Sequence, residues 1–137
     1  MTIKEKYIKH FFKDLTNEDR NECYFDQYMW HAFSYKKIEA LEGVQAIKAF
    51  EEISKNGVYI FFEHNNNVTE VDNISFQELE YNLKKNKDWE YDCYVVDKHF
   101  KWTFVYTHET YLYEGKNADP NVDYNIYYIG PFYYKIN

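Results

Sequence analysis

The chain has 137 residues, 45% of them hydrophobic, and a formal net charge of -7; this length fits one ordinary α+β domain that needs no disulfide or structural metal to hold its core. Its two cysteines, Cys23 and Cys93, are too few and too far apart for a disulfide framework or a zinc ribbon. The acidic balance repels polyphosphate backbones and anionic lipid, which excludes general nucleic-acid binding and docking on a membrane surface.

In chain order, Thr2 and Glu5 form a capping box, and Ile3, Tyr7, Phe11 and Leu15 recur at every fourth position with Ile8 and Phe12 beside them. That spacing predicts an amphipathic first helix. No apolar run of signal-peptide length follows Met1, and no stretch approaches a membrane span, so the expected compartment is the cytoplasm. Thr16 and Asp19 give a second helix start, leading a less regular segment through Cys23, Phe25 and Tyr28 toward Trp30 and Phe33. Gly43 opens a further helix, with Ala46, Ala49, Phe50 and Ile53 as its stripe and Asn56-Gly57 as its stop.

Residues 58–62, all apolar and bounded by Gly57 and Asn65, read as a central strand buried on both faces. Ser75 and Glu78 cap another helix, carried by Phe76, Leu79 and Leu83 and ending near Lys84-Lys85. Two strands follow, residues 91–96 and 101–108, with a four-residue hairpin loop between them. A strand, a helix and a strand in succession suggest a crossover that leaves 58–63 and 91–96 parallel. The expected fold is therefore a mixed sheet of four to five strands with N-terminal helices and one crossover helix. In the tail, Gly130-Pro131 reads as a bend or sheet edge, since Pro131 has no N–H to donate.

Aromatic residues make up 22% of the chain, including 16 Tyr. Tyrosines can bury a ring while the hydroxyl reaches water, so many are expected at the core margin, half-exposed. Charge is uneven: residues 1–56 carry nine basic against ten acidic side chains, and residues 57–137 seven against thirteen, or -1 and -6. A basic protein partner would be steered toward the second part. Candidate contacts there are Tyr111, Tyr113, Asp119, Asp123, Tyr124 and Tyr127.

The five histidines, His10, His31, His64, His99 and His108, fall in no metal-ligating motif, so no metal is expected. With four glycines no phosphate-binding Gly-rich loop can be written, and no cofactor is implied. In extended chain Trp102, Phe104, Tyr106 and His108 share one face, the aromatic stripe ending in an imidazole. The parallel arrangement would put His64 and His108 at opposite ends, ~20 Å apart. It would leave Glu63, His64, Asp97 and His99 as the better candidate for a metal or acid–base cluster, with His108 and Glu109 as a separate pair. A small enzyme or ligand binder built on either set is the alternative to a non-enzymatic, immunity- or inhibitor-like binding protein.

The W-x-x-F-S segment at residues 30–34, the W-T-F-V-Y-T-H-E run at residues 102–109 and Gly130-Pro131-Phe132 occur in an order that resembles a family of small bacterial proteins known as a domain of unknown function. The likeness spans residues 25–133, and this chain departs from the pattern by an insertion at residues 111–129. The resemblance implies one compact domain without an established activity. A site shared across the family would fall at Trp30, Phe33 and Ser34 and at Thr107, His108 and Glu109.

Overall fold

In the computed structural model, which describes residues 1–113 and 125–131, the Thr2 side chain accepts the Glu5 backbone N–H while Glu5 accepts that of Thr2. This reciprocal cap opens α1 (Ile3–Phe11). Thr16 and Asp19 repeat the device for α2 (Asn17–Glu22), and a short α3 (His31–Ser34) follows. Next come β1 (Leu41–Glu42), α4 (Gly43–Glu52), β2 (Val58–Phe62), β3 (Val68–Val71) and α5 (Phe76–Asn86). A 3-10 turn at Asp88–Tyr91 leads into β4 (Cys93–Asp97), β5 (Thr103–Tyr106), α6 (His108–Tyr113) and β6 (Ile126–Ile129).

The six strands form one sheet in the order β1-β6-β5-β4-β2-β3, and every neighbouring pair is antiparallel. The α+β class stands, but the sheet has six strands rather than four to five and is not mixed. Two strands escape the sequence pattern because β1 is only two residues long and β3 is an edge strand with three exposed positions. Overlooking β3 also reversed a direction. The chain turns back after β2 into β3, and the α5 crossover starts from β3, so β3 and β4 flank β2 and both run opposite to it.

Alternation along the strands supplies two cores, one on each face. Phe61, Tyr94, Val96, Val105 and Tyr127 face Tyr7, Phe12, Phe25, Trp30 and Phe33 from the N-terminal helices. Val58, Val95, Trp102, Phe104, Tyr106, Ile126 and Tyr128 face Ala46, Ala49 and Phe50 of α4 and Leu79 and Leu83 of α5. Ring pairs tighten both layers, with Phe61 stacked on Tyr94 at 5.3 Å and Phe50 on Phe104 at 4.2 Å. Such pairs add about 0.5–1.5 kcal/mol beyond area burial.

Tyr28 and Tyr59 are half-buried, as expected of a core margin, but five tyrosines depart from that expectation. Tyr7, Tyr94, Tyr106, Tyr127 and Tyr128 are fully buried, and each hydroxyl has a protein partner: Thr103, Glu63, Glu80, Asn125 and the Pro131 carbonyl. Burial is possible because the partner replaces water. Tyr127, read from sequence as a contact residue, is thus a core residue stacked on Trp30. Gly130, with φ +151°, brings the backbone against Trp102, where a Cβ would stand 2.4 Å from the Trp102 Cβ. Among the described residues no helix is long and apolar enough to cross a membrane.

Candidate functional site

Antiparallel pairing fixes which groups meet at each end of the sheet. Phe62 pairs with Cys93, Cys93 with Tyr106 and Tyr106 with Ile126, so Glu63, His64, Asp92, Thr107, His108 and Asn125 all lie at one rim. Val58 pairs with Asp97 at the other end, about four strand residues or ~14 Å away. The expected separation of His64 from His108 is therefore overturned, as is the grouping of Glu63 and His64 with Asp97 and His99. Asp97 is engaged in the β4–β5 turn, where its Oδ2 accepts the backbone N–H groups of His99 and Lys101.

His108 does not continue the face of Trp102, Phe104 and Tyr106. The strand ends at Tyr106, and His108 starts α6, its ring turned toward the opposite face beside Trp30 and Tyr28. Asp92 produces this change. Its Oδ1 accepts the His108 backbone N–H at 2.7 Å and lies 2.9 Å from His108 Nδ1. Satisfying a first-turn N–H with a carboxylate is a helix-start device, here supplied by the residue that precedes β4. Asp92 is 0% exposed and holds φ at +55°, an uncommon value for a residue with a side chain.

With Nδ1–H donated to Asp92, the neutral His108 ring carries its lone pair on Nε2. The side chain keeps 24% exposure. Three buried polar atoms without a hydrogen-bond partner belong to the residues around it: Asp92 Oδ2, Thr107 Oγ1 and Trp30 Nε1. Buried polar atoms are normally paired, and an unmet one costs about 1–3 kcal/mol. All three belong to residues at or beside the rim that carries His108.

Tyr28 forms the adjoining wall. Its ring centroid lies 5.2 Å from His31, 5.7 Å from His64 and 5.4 Å from both His108 and Trp30. His31 Nδ1 is anchored on the Cys23 carbonyl at 2.8 Å. Burial, and then the Asp92, Glu63 and Glu109 carboxylates, push the Tyr28 phenol up. Behind this wall the Glu63 carboxylate accepts the Met29 N–H at 3.1 Å and the Tyr94 hydroxyl, while Tyr94 accepts the Trp30 N–H at 3.1 Å. Burial raises the Glu63 carboxyl to about 7 against the lowering effect of these bonds. Lys4 holds the loop from outside, donating to the carbonyls of Glu63 and Asn65 at 3.0 Å.

Of the residues picked from sequence, Trp30, Thr107 and His108 converge here. Phe33 is buried against Phe12 and Tyr127, and Ser34 bonds the His31 carbonyl at 3.4 Å. Glu109 accepts from Asn125, whose carbonyl takes the Tyr127 hydroxyl at 2.5 Å. Asp119, Asp123 and Tyr124 lie outside the described residues, as do the side chains of Tyr111 and Tyr113. Sequence reasoning missed Tyr28, His31, Asp92 and Tyr94. A turn read at the asparagines 65–67, between 58–62 and Val68–Val71, would have reversed β4 and brought Asp92 beside Glu63. Among the described residues no group of three or more His, Cys, Asp or Glu side chains is placed to hold a metal ion.

A family model described as Domain of unknown function (DUF4275) matches residues 1–116. The chain belongs to this family. The match reaches back over α1 and α2, which the motif resemblance at 25–133 left out, and stops short of β6. No curated protein and no solved structure matches the chain. Tyr28, Trp30, His31, Glu63, His64, Asp92, Tyr94, Thr107, His108 and Glu109 lie inside the DUF4275 match, so the Asp92–His108 pair and its Tyr28–Trp30 wall belong to the family segment.

Proposed function

We propose that this DUF4275 protein binds a small polar molecule at the rim beside Tyr28 and Trp30, with His108 as the proton acceptor or donor toward it. The observation that carries this reading is the pair of hydrogen bonds that join the His108 backbone N–H and Nδ1 to one oxygen of buried Asp92 and so orient the imidazole. An oriented imidazole with a free Nε2 is the working part of acid–base sites, and the carboxylate steadies the imidazolium when it forms. Tyr28, stacked on Trp30 at 5.4 Å and 5.4 Å from the His108 ring, offers the guest an aromatic wall. The reading requires the Nδ1–H tautomer in the neutral ring, which long-range proton–nitrogen NMR of the His108 imidazole reports directly. An Nε2–H tautomer, or an imidazole unchanged by Asp92→Asn, refutes it.

A second reading keeps the site but makes the guest a basic side chain of a protein partner, in the manner of an inhibitor or immunity protein. It is favoured by Asp92, Glu63 and Glu109 all acting on Tyr28, and by the -6 carried by residues 57–137. Aromatic faces with carboxylates behind them suit a guanidinium or ammonium group. Affinity capture from the native host, repeated at low and moderate salt, decides this reading. Recovery of a basic protein that Glu109→Gln releases supports it, and capture that Glu109→Gln leaves intact removes it.

A further inference from the structure

A cavity lies at the end of the sheet opposite His108, and its charge contradicts that of the chain as a whole. It measures about 460 Å³ and is lined by Met1, by Lys6, Lys9, His10 and Lys13 from the first helix and its exit, and by His99 and Phe100 from the β4–β5 turn. The helical residues stand at i, i+3, i+4 and i+7, which share one face. Lys9 and His10 also complement the negative end of α1, a sufficient reason for cations there, but Lys6 and the residues of the β4–β5 turn have no such role. Convergence from two elements distinguishes the patch from a solvated helix face.

None of Lys6, Lys9 and Lys13 has a carboxylate within ion-pair distance among the described residues. The other side of the cavity is aromatic: Phe100 is half-buried, held at φ +59° by the Asp97 turn, with its ring 6.2 Å from His10 and 6.4 Å from Tyr59. Three ammonium groups exceed what one carboxylate needs and suit the several oxygens of a phosphate, which lysine binds as a point charge. The volume falls in the range of small-molecule pockets. A long polyanion would run off this patch onto acidic surface, whereas a compact one feels only the local field, screened beyond about 8 Å at physiological salt.

We propose that this cavity binds a small phosphate ester, its phosphate held by Lys6, Lys9 and Lys13 and its organic group against Phe100 and His10. The test is titration of the full chain with phenyl phosphate, inorganic phosphate and benzoate at physiological salt, followed by NMR or calorimetry. Phenyl phosphate is expected to bind at least tenfold more tightly than benzoate and more tightly than inorganic phosphate. Lys6→Glu with Lys9→Glu should weaken it at least tenfold, with the milder Lys6→Gln/Lys9→Gln pair showing the same direction. Lys48→Glu with Lys85→Glu, an equal change of charge elsewhere, should weaken it less than threefold. Phe100→Ala should bring phenyl phosphate down to the level of inorganic phosphate. Equal losses in the two charge-reversed pairs, no binding of either phosphate, or tighter binding of a ten-nucleotide single-stranded RNA than of phenyl phosphate would overturn the assignment.

Discussion

Replacing Asp92 tests the site most directly, because one side chain holds both the start of α6 and the imidazole. Its Oδ1 takes two N–H bonds from His108, at 2.7 and 2.9 Å. Bonds to a charged acceptor contribute about 1.5–3 kcal/mol each, so removing the carboxylate forfeits ~3–6 kcal/mol. Against this, the unpartnered Oδ2 no longer has to be buried, which returns ~1–3 kcal/mol. The net expected loss is ~2–3 kcal/mol for Asp92→Gly, which accepts the positive φ without a steric cost. Asp92→Ala should lose ~1 kcal/mol more, because its Cβ resists that φ. Asp92→Asn, which keeps an acceptor oxygen, should lose least. Urea unfolding followed by tryptophan fluorescence measures all three, provided the slope with denaturant is unchanged. In combination with His108→Ala, the Asp92→Gly cost should fall by ~1–2 kcal/mol, since the Nδ1 bond is already gone. If Asp92→Gly lies within ~0.5 kcal/mol of the parent, or the two changes simply add, Asp92 does not hold His108 and the reasoning fails.

Glu63 gives a pH signature. Its folded carboxyl titrates near 7, above the ordinary 4.5, so the fold favours the protonated form. The sign follows: this contribution is fully present below 4.5 and is lost as pH rises through 7. Glu63→Gln, which keeps an acceptor for Met29 and Tyr94, should therefore raise stability by ~2 kcal/mol at pH 8 and flatten the decline between pH 5 and 8. A melting-temperature profile unchanged by the substitution would place the titrating group elsewhere. Gly130→Ala should destabilise by ~2–4 kcal/mol, because its Cβ meets the Trp102 Cβ at 2.4 Å and the Tyr128 hydroxyl at 2.9 Å; an unfolding midpoint equal to the parent's contradicts the close approach. Burial pushes the Cys93 thiol up, and neither cysteine has exposed surface, so both should resist an aromatic disulfide reagent until urea unfolds the chain. Rapid native-state labelling of Cys93 would show that β4 opens readily.

What was legible in the sequence is what local physics alone determines. The capping boxes at Thr2, Thr16 and Ser75 start helices at the positions read, because the bonds involved span three residues. Phe104 and Val105 alternate between the two cores as the strand period requires. Strand direction was illegible because it depends on one weak edge strand, Val68–Val71, whose exposed residues leave no hydrophobic signature. From that one omission came both site errors, the separation of His64 from His108 and the grouping of Asp97 with Glu63. Asp92 carried no local signal either. Its role comes from a partner 16 residues later, which only tertiary pairing brings within reach.

The two ends of the sheet are built by opposite rules, and this bears on which of them acts on a guest. At the Asp97 end the Asp97 carboxylate caps two N–H groups of the turn, and Lys6, Lys9, His10, Lys13 and His99 are exposed. Such a surface attracts by field and releases readily. At the His108 end the polar atoms are inside, bound to one another only in part, with Asp92, Thr107 and Trp30 each leaving one atom unanswered. Folding tolerates that cost only where the surrounding structure imposes it, as the strained φ of Asp92 and the Glu63–Tyr94–Trp30 hydrogen-bond chain do here. On the two proposals above, the His108 rim serves a guest through its oriented imidazole and the lysine end through electrostatic capture.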